Sequence, residues 1–195
     1  MSPTLLLVDD DRLVLAMISK SLKKAGYNTI TAESVDEAEA ILTSGEKPAL
    51  AILDVNMPGR SGLVFAERLA SLDHIPFILL TAYSEEQIVQ QAAELGALGY
   101  LVKPVDTPQL LPAIRAALAR AEDIKRLQTT EQQLQRALDN ERDISIAIGI
   151  VMMQYHLDRR AAFELLRKNA RSQSRGLADI AKDVIQASEA LNLGS

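Results

Sequence analysis

Three acidic residues follow the first apolar stretch of the sequence. Residues 5–12 read LLLVDDDR, so the apolar run leads directly into Asp9, Asp10 and Asp11. Two carboxylates about 4 Å apart repel each other by roughly 4 kcal/mol at an effective dielectric constant near 20. Carboxylate oxygens around one point are ligands that a hard divalent cation such as Mg²⁺ prefers. The sequence therefore predicts a compensating cation here.

Three further polar residues follow apolar runs in the same way. Asp54 lies in LDVNMPG, Thr81 in LLTAYS and Lys103 in YLVKP. A cation and Lys103 would together hold a phosphoryl group on Asp54, and Thr81 would donate a hydrogen bond to it. Phosphoryl transfer depends mainly on positioning and charge neutralisation. These residue types predict phosphoryl transfer with Asp54 as the nucleophile.

The elements that must bring these side chains together are short apolar runs separated by helical patterns. The strands are predicted at residues 4–8, 27–31, 49–53, 75–80 and 99–102. Five strands, each followed by a helix, predict an α/β fold with a five-stranded, doubly wound parallel sheet. Such a sheet binds ligands outside the carboxyl ends of its strands, at the point where the strand order reverses.

Two pairs of residues predict where helices of this domain begin. Ser34 with Glu37, and Ser84 with Gln87, have the spacing of capping boxes. Asp11 is interpreted as the N-cap of the first helix, which would separate its role from those of Asp9 and Asp10.

Residues 1–120 resemble the receiver domain of bacterial two-component response regulators. The resemblance rests on LLLVDDD, ILDVNMPG, LLTAYS and GYLVKP in the family's order and spacing. It implies a flavodoxin-like fold and phosphorylation of Asp54 by a histidine kinase. It also implies that the domain catalyses only its own phosphorylation and dephosphorylation, so we do not expect an enzyme or a small-molecule substrate beyond phosphoryl donors.

The resemblance also assigns the metal ligands. It implies that Mg²⁺ is bound directly by Asp10, Asp54 and the carbonyl of Asn56, and through water by Asp9. The aspartate run has a rival interpretation, a phosphatase of the haloacid dehalogenase type. That family resembles Asp-x-Asp followed two residues later by Thr, and Leu13 stands at that position here.

Further roles follow from the same resemblance. Thr81 and Tyr100 would form a switch pair, in which Thr81 moves toward the phosphate and Tyr100 swings inward. Asn56 and Tyr83 occupy the positions that tune the lifetime of the aspartyl phosphate in relatives. An ordinary core residue remains the alternative interpretation of Tyr100. The peptide bond before Pro104 is expected to be cis.

A helical pattern begins near residue 107 and continues to about residue 155. Residues 121–143 contain a partial heptad seam, which predicts a short coiled-coil linker. The apolar seam positions are Ile124, Leu127, Leu134 and Leu138, and the seam is interrupted at Glu131 and Glu141. Residues 144–195 then predict a small three-helix domain, with Asp158 as the N-cap of its second helix.

A basic cluster lies in this last domain. Residues 167–175 contain no acid, whereas residues 1–120 are net acidic. Guanidinium groups beside short polar side chains suit phosphates and base edges. The candidate RNA contacts are Lys168, Arg171, Gln173 and Arg175, with Arg167 beside them on the helix. The alternative is an ordinary solvated helix face.

Residues 147–185 resemble an ANTAR domain, an RNA-binding output of antitermination regulators. The match includes a small residue and Gly-Ile-x-Met at Ala147–Met152, then AFELLR, then LADIA. The resemblance implies binding to RNA hairpins in nascent transcripts, which prevents transcription termination. Relatives often have Lys or Arg where this chain has Ile148, so one basic contact is expected to be missing. Gly149 is interpreted as allowing close approach of a neighbouring helix or of RNA.

The remaining expectations concern partners and location. The chain has no cysteine and no long apolar run, so we expect neither a disulfide nor a membrane span, and a cytoplasmic location. The coiled coil predicts a homodimer in the active state. The alternatives are a DNA-binding output and a protein-interaction output. The last predicted helix is acidic and offers only Lys182 as a base, which disfavours DNA recognition.

Overall fold

The computed structural model describes residues 2–82 and 86–192. The chain divides into two compact units, Met1–Lys125 and Arg126–Ser195. Each unit has its own hydrophobic core. No helix in these described ranges is long and apolar enough to cross a membrane.

The first unit is built on a parallel sheet, as predicted. The strand order is β2-β1-β3-β4-β5. The strands are β1 (Thr4–Val8), β2 (Asn28–Ala32), β3 (Leu50–Asp54), β4 (Phe77–Thr81) and β5 (Tyr100–Val102). The prediction for β1 is confirmed, and the other four strands begin one or two residues later than predicted. β2, β3 and β4 also end one residue later. Asp54 pairs with Leu80, and Thr81 pairs with Val102. The ladder therefore takes Asp54 and Thr81 into the last strand position.

Helices cover both faces of the sheet. They are α1 (Arg12–Lys24), α2 (Val35–Thr43), α3 (Gly62–Arg68), α4 (Glu86–Glu94) and α5 (Thr107–Tyr155), and α3 is followed by a π-helical turn at Leu69–Asp73. α1 and the start of α5 pack on one face of the sheet, whereas α2, α3 and α4 pack on the other. β1, β3 and β4 are buried almost throughout because both of their faces are covered.

Side-chain caps begin α1 and α2. Asp11 Oδ1 accepts hydrogen bonds from the backbone N–H groups of Leu13 and Val14, which confirms its predicted role. Ser34 Oγ accepts from the backbone of Glu37 at 3.2 Å, as the capping box predicts. The reciprocal bond differs, since the Glu37 carboxylate accepts from the backbone of Glu33. The predicted capping serine of α4, Ser84, lies outside the described residues.

The apolar residues of α1 divide between two faces. Leu15, Ile18 and Leu22 are buried against the sheet. Leu13 and Met17 lie four residues apart on one stripe of the helix, and they are 75% and 66% exposed. The stripe is wider than the face that the sheet can cover, so this edge remains at the surface.

The second unit consists, in its described part, of three helices. They are the end of α5, α6 (Arg159–Ser172) and α7 (Leu177–Asn192). Asp158 caps α6, because its Oδ1 accepts from the N–H of Ala161 at 2.8 Å, as predicted. The core of this unit includes Ala147, Val151, Ala162, Leu166 and Ile180.

Two positions at the end of α5 bear on the sequence interpretation. From the sequence, the neighbouring apolar residues Met152 and Met153 are both expected to lie in the core, but Met153 is 81% exposed. Ile148 is 7% exposed and belongs to the core of the unit. The residue that replaces the family's usual base is therefore a packing residue here.

Candidate functional site

The acidic cluster lies where the central strands β1 and β3 end. Asp9 directly follows β1, and Asp54 is the last residue of β3. Both are nearly inaccessible, with 1% and 3% of their surface exposed, whereas Asp10 is exposed. One carboxylate oxygen from each of the three residues lies within 4.8 Å of the others. The topology thus brings together the three acids that the sequence indicated.

Lys103 compensates the two buried acids. It follows β5, and its Nζ lies 2.6 Å from Asp9 Oδ2 and 2.9 Å from Asp54 Oδ2. Burial alone would lower the pKa of Lys103. The attraction of the two aspartates outweighs burial, so the pKa is raised. Lys103 therefore remains a cation between these carboxylates.

At Asp9, burial has a larger effect on the pKa than the neighbouring cation has. Loss of solvation raises the pKa of this carboxyl, and the attraction of Lys103 and the hydrogen bond from the backbone of Asp11 offset this only in part. Asp9 Oδ1 accepts from the Asp11 N–H at 3.0 Å. Asp9 Oδ2 is buried, and no donor among the described residues forms a regular hydrogen bond with it, so the short contact with Lys103 is ionic.

A magnesium ion fits this set of donors. Mg²⁺ prefers oxygen ligands and is usually bound through one or two carboxylates together with water and phosphate oxygens. Asp9, Asp10 and Asp54 offer oxygens at a shared point, and one oxygen of Asp9 lacks a regular hydrogen-bond donor. The chemistry of the residues therefore agrees with the predicted cation.

Gly62 fixes the backbone beneath Asp54. A Cβ atom at position 62 would lie 1.9 Å from the carbonyl oxygen of Asp54. The Gly62 N–H donates to the Val55 carbonyl at 3.2 Å. The loop after β3 can therefore return beneath the acceptor only because residue 62 has no side chain. The sequence interpretation missed this role, although the second glycine of MPGRSG, which is Gly62, could have indicated it.

The structure describes most of the other predicted receiver residues. Thr81 is buried at the end of β4, and its carbonyl accepts from the Lys103 N–H at 2.7 Å. Tyr100 is 47% exposed, so it is not a core residue in this conformation. Asn56 is exposed, and its N–H donates to Asp54 Oδ1 at 3.3 Å. Tyr83 lies outside the described residues. The Lys103–Pro104 peptide bond is cis, as expected.

An ion-pair network supports the same loop from outside. Arg60 forms two 2.8 Å hydrogen bonds with the carboxylate of Glu39 in α2, and Arg68 lies 3.1 Å from it. Hydrogen bonding from Arg60 holds the pKa of Glu39 below its usual value. The sequence interpretation missed this network, because nothing in the sequence connects residues 21 positions apart.

The basic cluster of the second unit is only partly free. Lys168 and Arg171 are exposed, and neither forms an ion pair with another described residue. Arg175 instead lies 2.6 Å from Asp183 of α7 and donates to Gln173 at 3.4 Å. Arg167 lies 3.4 Å from Glu164. Lys168 and Arg171 are therefore the cluster's most available cations.

Gly149 faces open space. Within the described structure, a Cβ atom at this position would meet no atom outside its own helix within 4 Å. The described residues therefore give no support to the helix-packing interpretation of this glycine. The partly buried Gly149 and the exposed Met153 leave the alternative of an external contact.

Comparison with known proteins assigns both units. A family model for the response regulator receiver domain matches residues 5–115. A model for the ANTAR domain matches residues 132–185. The chain is a response regulator with an ANTAR domain. The receiver match includes the acidic cluster and Lys103, and the ANTAR match includes the basic cluster.

Individual relatives agree with this assignment. The chain is 31% identical over 182 residues to the transcriptional regulatory protein PdtaR of Mycobacterium tuberculosis, which covers 93% of this chain and 88% of that protein. It is 34% identical over 119 residues to the sporulation initiation phosphotransferase F of Bacillus subtilis, covering 60% of this chain and 95% of that protein. The chemotaxis response regulator CheY4 of Vibrio cholerae has 30% identity and a TM-score of 0.56, covering 60% and 99%.

Proposed function

We propose that this response regulator is phosphorylated on Asp54 by a histidine kinase and then binds RNA hairpins in nascent transcripts, so that terminators do not form. One observation carries the proposal. A receiver site with Lys103 2.9 Å from the buried Asp54 stands in the same chain as an ANTAR match with exposed, unpaired cations. Nascent transcripts would place the protein in the cytoplasm.

The chemistry at Asp54 is the displacement of a phosphoryl group from a donor. A carboxylate oxygen of Asp54 attacks phosphorus, and the bond between phosphorus and the donor atom breaks. Lys103 stabilises the charge on the transferred group, and Thr81 donates a hydrogen bond to one of its oxygens. Asp10, Asp54 and the Asn56 carbonyl would hold Mg²⁺, with Asp9 acting through water. When bound, the ion would supply further charge neutralisation.

The response to phosphate is proposed to pass through Thr81 and Tyr100. Thr81 moves toward the phosphoryl oxygens, and the half-exposed Tyr100 turns into the space that Thr81 leaves. Asn56 and Tyr83 set the lifetime of the phosphorylated state. The protein otherwise acts on no small molecule.

The output is proposed to be a homodimer. We assign residues 1–120 to the receiver, 121–143 to a coiled-coil linker and 144–195 to the RNA-binding domain. Lys168, Arg171, Gln173 and Arg175 contact RNA, and two RNA sites in one dimer raise the overall affinity without new contacts. The seam side chains Leu127 and Leu134 are 67% and 61% exposed in the single chain, as unpaired coiled-coil positions would be.

An in vitro transcription assay tests this function. The template carries a terminator preceded by two short-loop hairpins, and readthrough is measured with the chain before and after treatment with acetyl phosphate and Mg²⁺. We expect readthrough to increase only after treatment. Asp54→Asn, which removes the acceptor while keeping the side-chain shape, should not respond. Equal readthrough with the treated and untreated protein contradicts the proposal.

A further inference from the structure

The second unit contains a groove that no residue of the basic cluster lines. It has a volume of about 660 Å³ and lies between α5 and the first turn of α6. Its apolar lining includes Ile144, Ile148 and Phe163. Its charged lining consists of Glu141, Arg159 and Arg160. A lining of this kind suits a helix with an apolar stripe and acidic flanks.

The groove continues the coiled-coil seam of α5. Leu134 and Leu138 are half exposed or more, and they occupy alternating seam positions. The spacing of four and three residues continues from Leu138 to Glu141, Ser145 and Ile148. All three of these residues line the groove. A second helix that packs along the seam would therefore enter the groove.

The charges of the groove have no ion-pair partner in the part of the chain that the structure describes. Among the described residues, Glu141, Arg159 and Arg160 form no ion pair. Two arginines in the first turn of α6 are also unfavourable for the helix dipole, which favours negative charge there. Within the described structure, the two arginines at this edge of the groove are therefore not paired with an anion.

The seam helix itself supplies such an anion. Residues 131–143 of α5 carry four acidic and two basic side chains. In a parallel, in-register pair of these helices, Glu141 would face its own copy, which is unfavourable without a compensating cation. An arginine at the edge of each groove, within reach of the opposite Glu141, would provide that compensation.

We propose that this groove receives the α5 helix of a second copy of the chain, with Glu141 of each copy paired with Arg159 or Arg160 of the other. The proposal rests on the homodimer of the proposed function and specifies where its interface continues beyond the linker. The dimer would then extend into the ANTAR domain and fix the two output units by ion pairs.

Charge reversal tests the pairing in the full-length protein activated with beryllofluoride and Mg²⁺. The dimer dissociation constant is measured by sedimentation equilibrium. We expect Glu141→Arg to weaken the dimer about tenfold, because arginines would then face arginines, and the double variant Arg159→Glu with Arg160→Glu to weaken it by a similar factor. Combining all three changes should restore the constant to within about threefold of the original.

Two controls accompany this series. Lys182→Glu makes a similar charge change on an exposed site of α7 outside the groove, and it should leave the dissociation constant unchanged. Far-ultraviolet circular dichroism and urea titration on every variant establish that each is folded. Recovery in the triple variant would itself exclude misfolding as the cause of the loss.

RNA binding, measured on the same variants, separates this proposal from the proposed function. Recovery of the dimer by the triple variant supports the groove pairing, even if no variant binds RNA. Three results overturn the pairing: a monomer under all conditions, a dissociation constant that none of the changes affects, or single losses that the triple variant does not restore. Loss of RNA affinity by Arg159→Glu with Arg160→Glu, without a change in dimerisation, assigns the groove to RNA instead.

Discussion

The negative charge of Asp9 is energetically unfavourable in the receiver site. Its carboxyl is buried, one of its oxygens lacks a regular hydrogen bond, and its pKa is raised because burial outweighs the attraction of Lys103. The fold therefore keeps a carboxylate where it is unfavourable without a cation. Residues that bind ligands often cost stability in this way.

Asp9→Asn should stabilise the protein in the absence of divalent cations. We expect the free energy of unfolding in EDTA to rise by about 1 kcal/mol, since an under-bonded buried carboxylate is removed. Asp10→Asn is the matched control, because Asp10 is exposed and should not change stability. Both variants should bind Mg²⁺ more weakly. A loss of stability in Asp9→Asn would contradict the account.

The pH dependence follows from the same residue. Because the folded pKa of Asp9 is raised above its unfolded value near 3.8, the folded state holds this proton more tightly. Its contribution to stability is fully present below the unfolded pKa and is lost as pH rises through the folded value. In EDTA, Asp9→Asn should remove this part of the pH dependence of urea unfolding. An unchanged profile would exclude Asp9 as its source.

Arg171 is the second residue whose environment decides a prediction. It is exposed and unpaired in the described structure, whereas Arg175 pairs with Asp183 at 2.6 Å. Arg171→Ala should weaken RNA binding about fivefold to tenfold and reduce the salt slope by about one unit. Arg175→Ala should have a smaller effect, because its charge is already partly neutralised. Equal affinities for Arg171→Ala and the unsubstituted protein would place the RNA elsewhere.

Strand β3 and helix α3 form the element pair that positions Asp54. The turn between them closes on Gly62, and the Arg60–Glu39 pair ties the same loop to α2. The acceptor is therefore held from the backbone side as well as by Lys103.

Gly62→Ala should displace this turn. The new methyl group would collide with the Asp54 carbonyl, and we expect the free energy of unfolding to fall by more than about 2 kcal/mol. Urea unfolding measures the loss, and labelled acetyl phosphate measures the accompanying fall in phosphorylation. Unchanged stability would show that the loop can move aside at little cost.

In the last turns of α5, replacing a glycine by alanine should stabilise the protein, in contrast to Gly62→Ala. Gly149 lies in a helix interior with open space around it, so Gly149→Ala should raise the free energy of unfolding by about 1 kcal/mol. If this surface meets RNA closely, the same change should also weaken RNA binding. A stabilised variant with unaltered RNA affinity would exclude Gly149 from the RNA contact.

The two units of the molecule were unequally predictable from sequence. The receiver sheet, the Asp11 cap and the convergence of Asp9, Asp54 and Lys103 follow from apolar runs and strand-end chemistry, which are local signals. The strand ends shifted because ladder partners set them. Met153 was misjudged because its burial depends on how α5 packs with α6 and α7. The groove beside Phe163 had no sequence signal, since it exists only after these helices pack.

The central claim is that activation at Asp54 controls RNA binding by the same chain. The most direct measurement titrates the full-length protein, with and without beryllofluoride and Mg²⁺, against a two-hairpin RNA and a duplex DNA at one fixed salt concentration. The account predicts tighter RNA binding in the activated state and weaker binding to the duplex DNA. Equal RNA affinity in both states, or preference for the DNA, would contradict it.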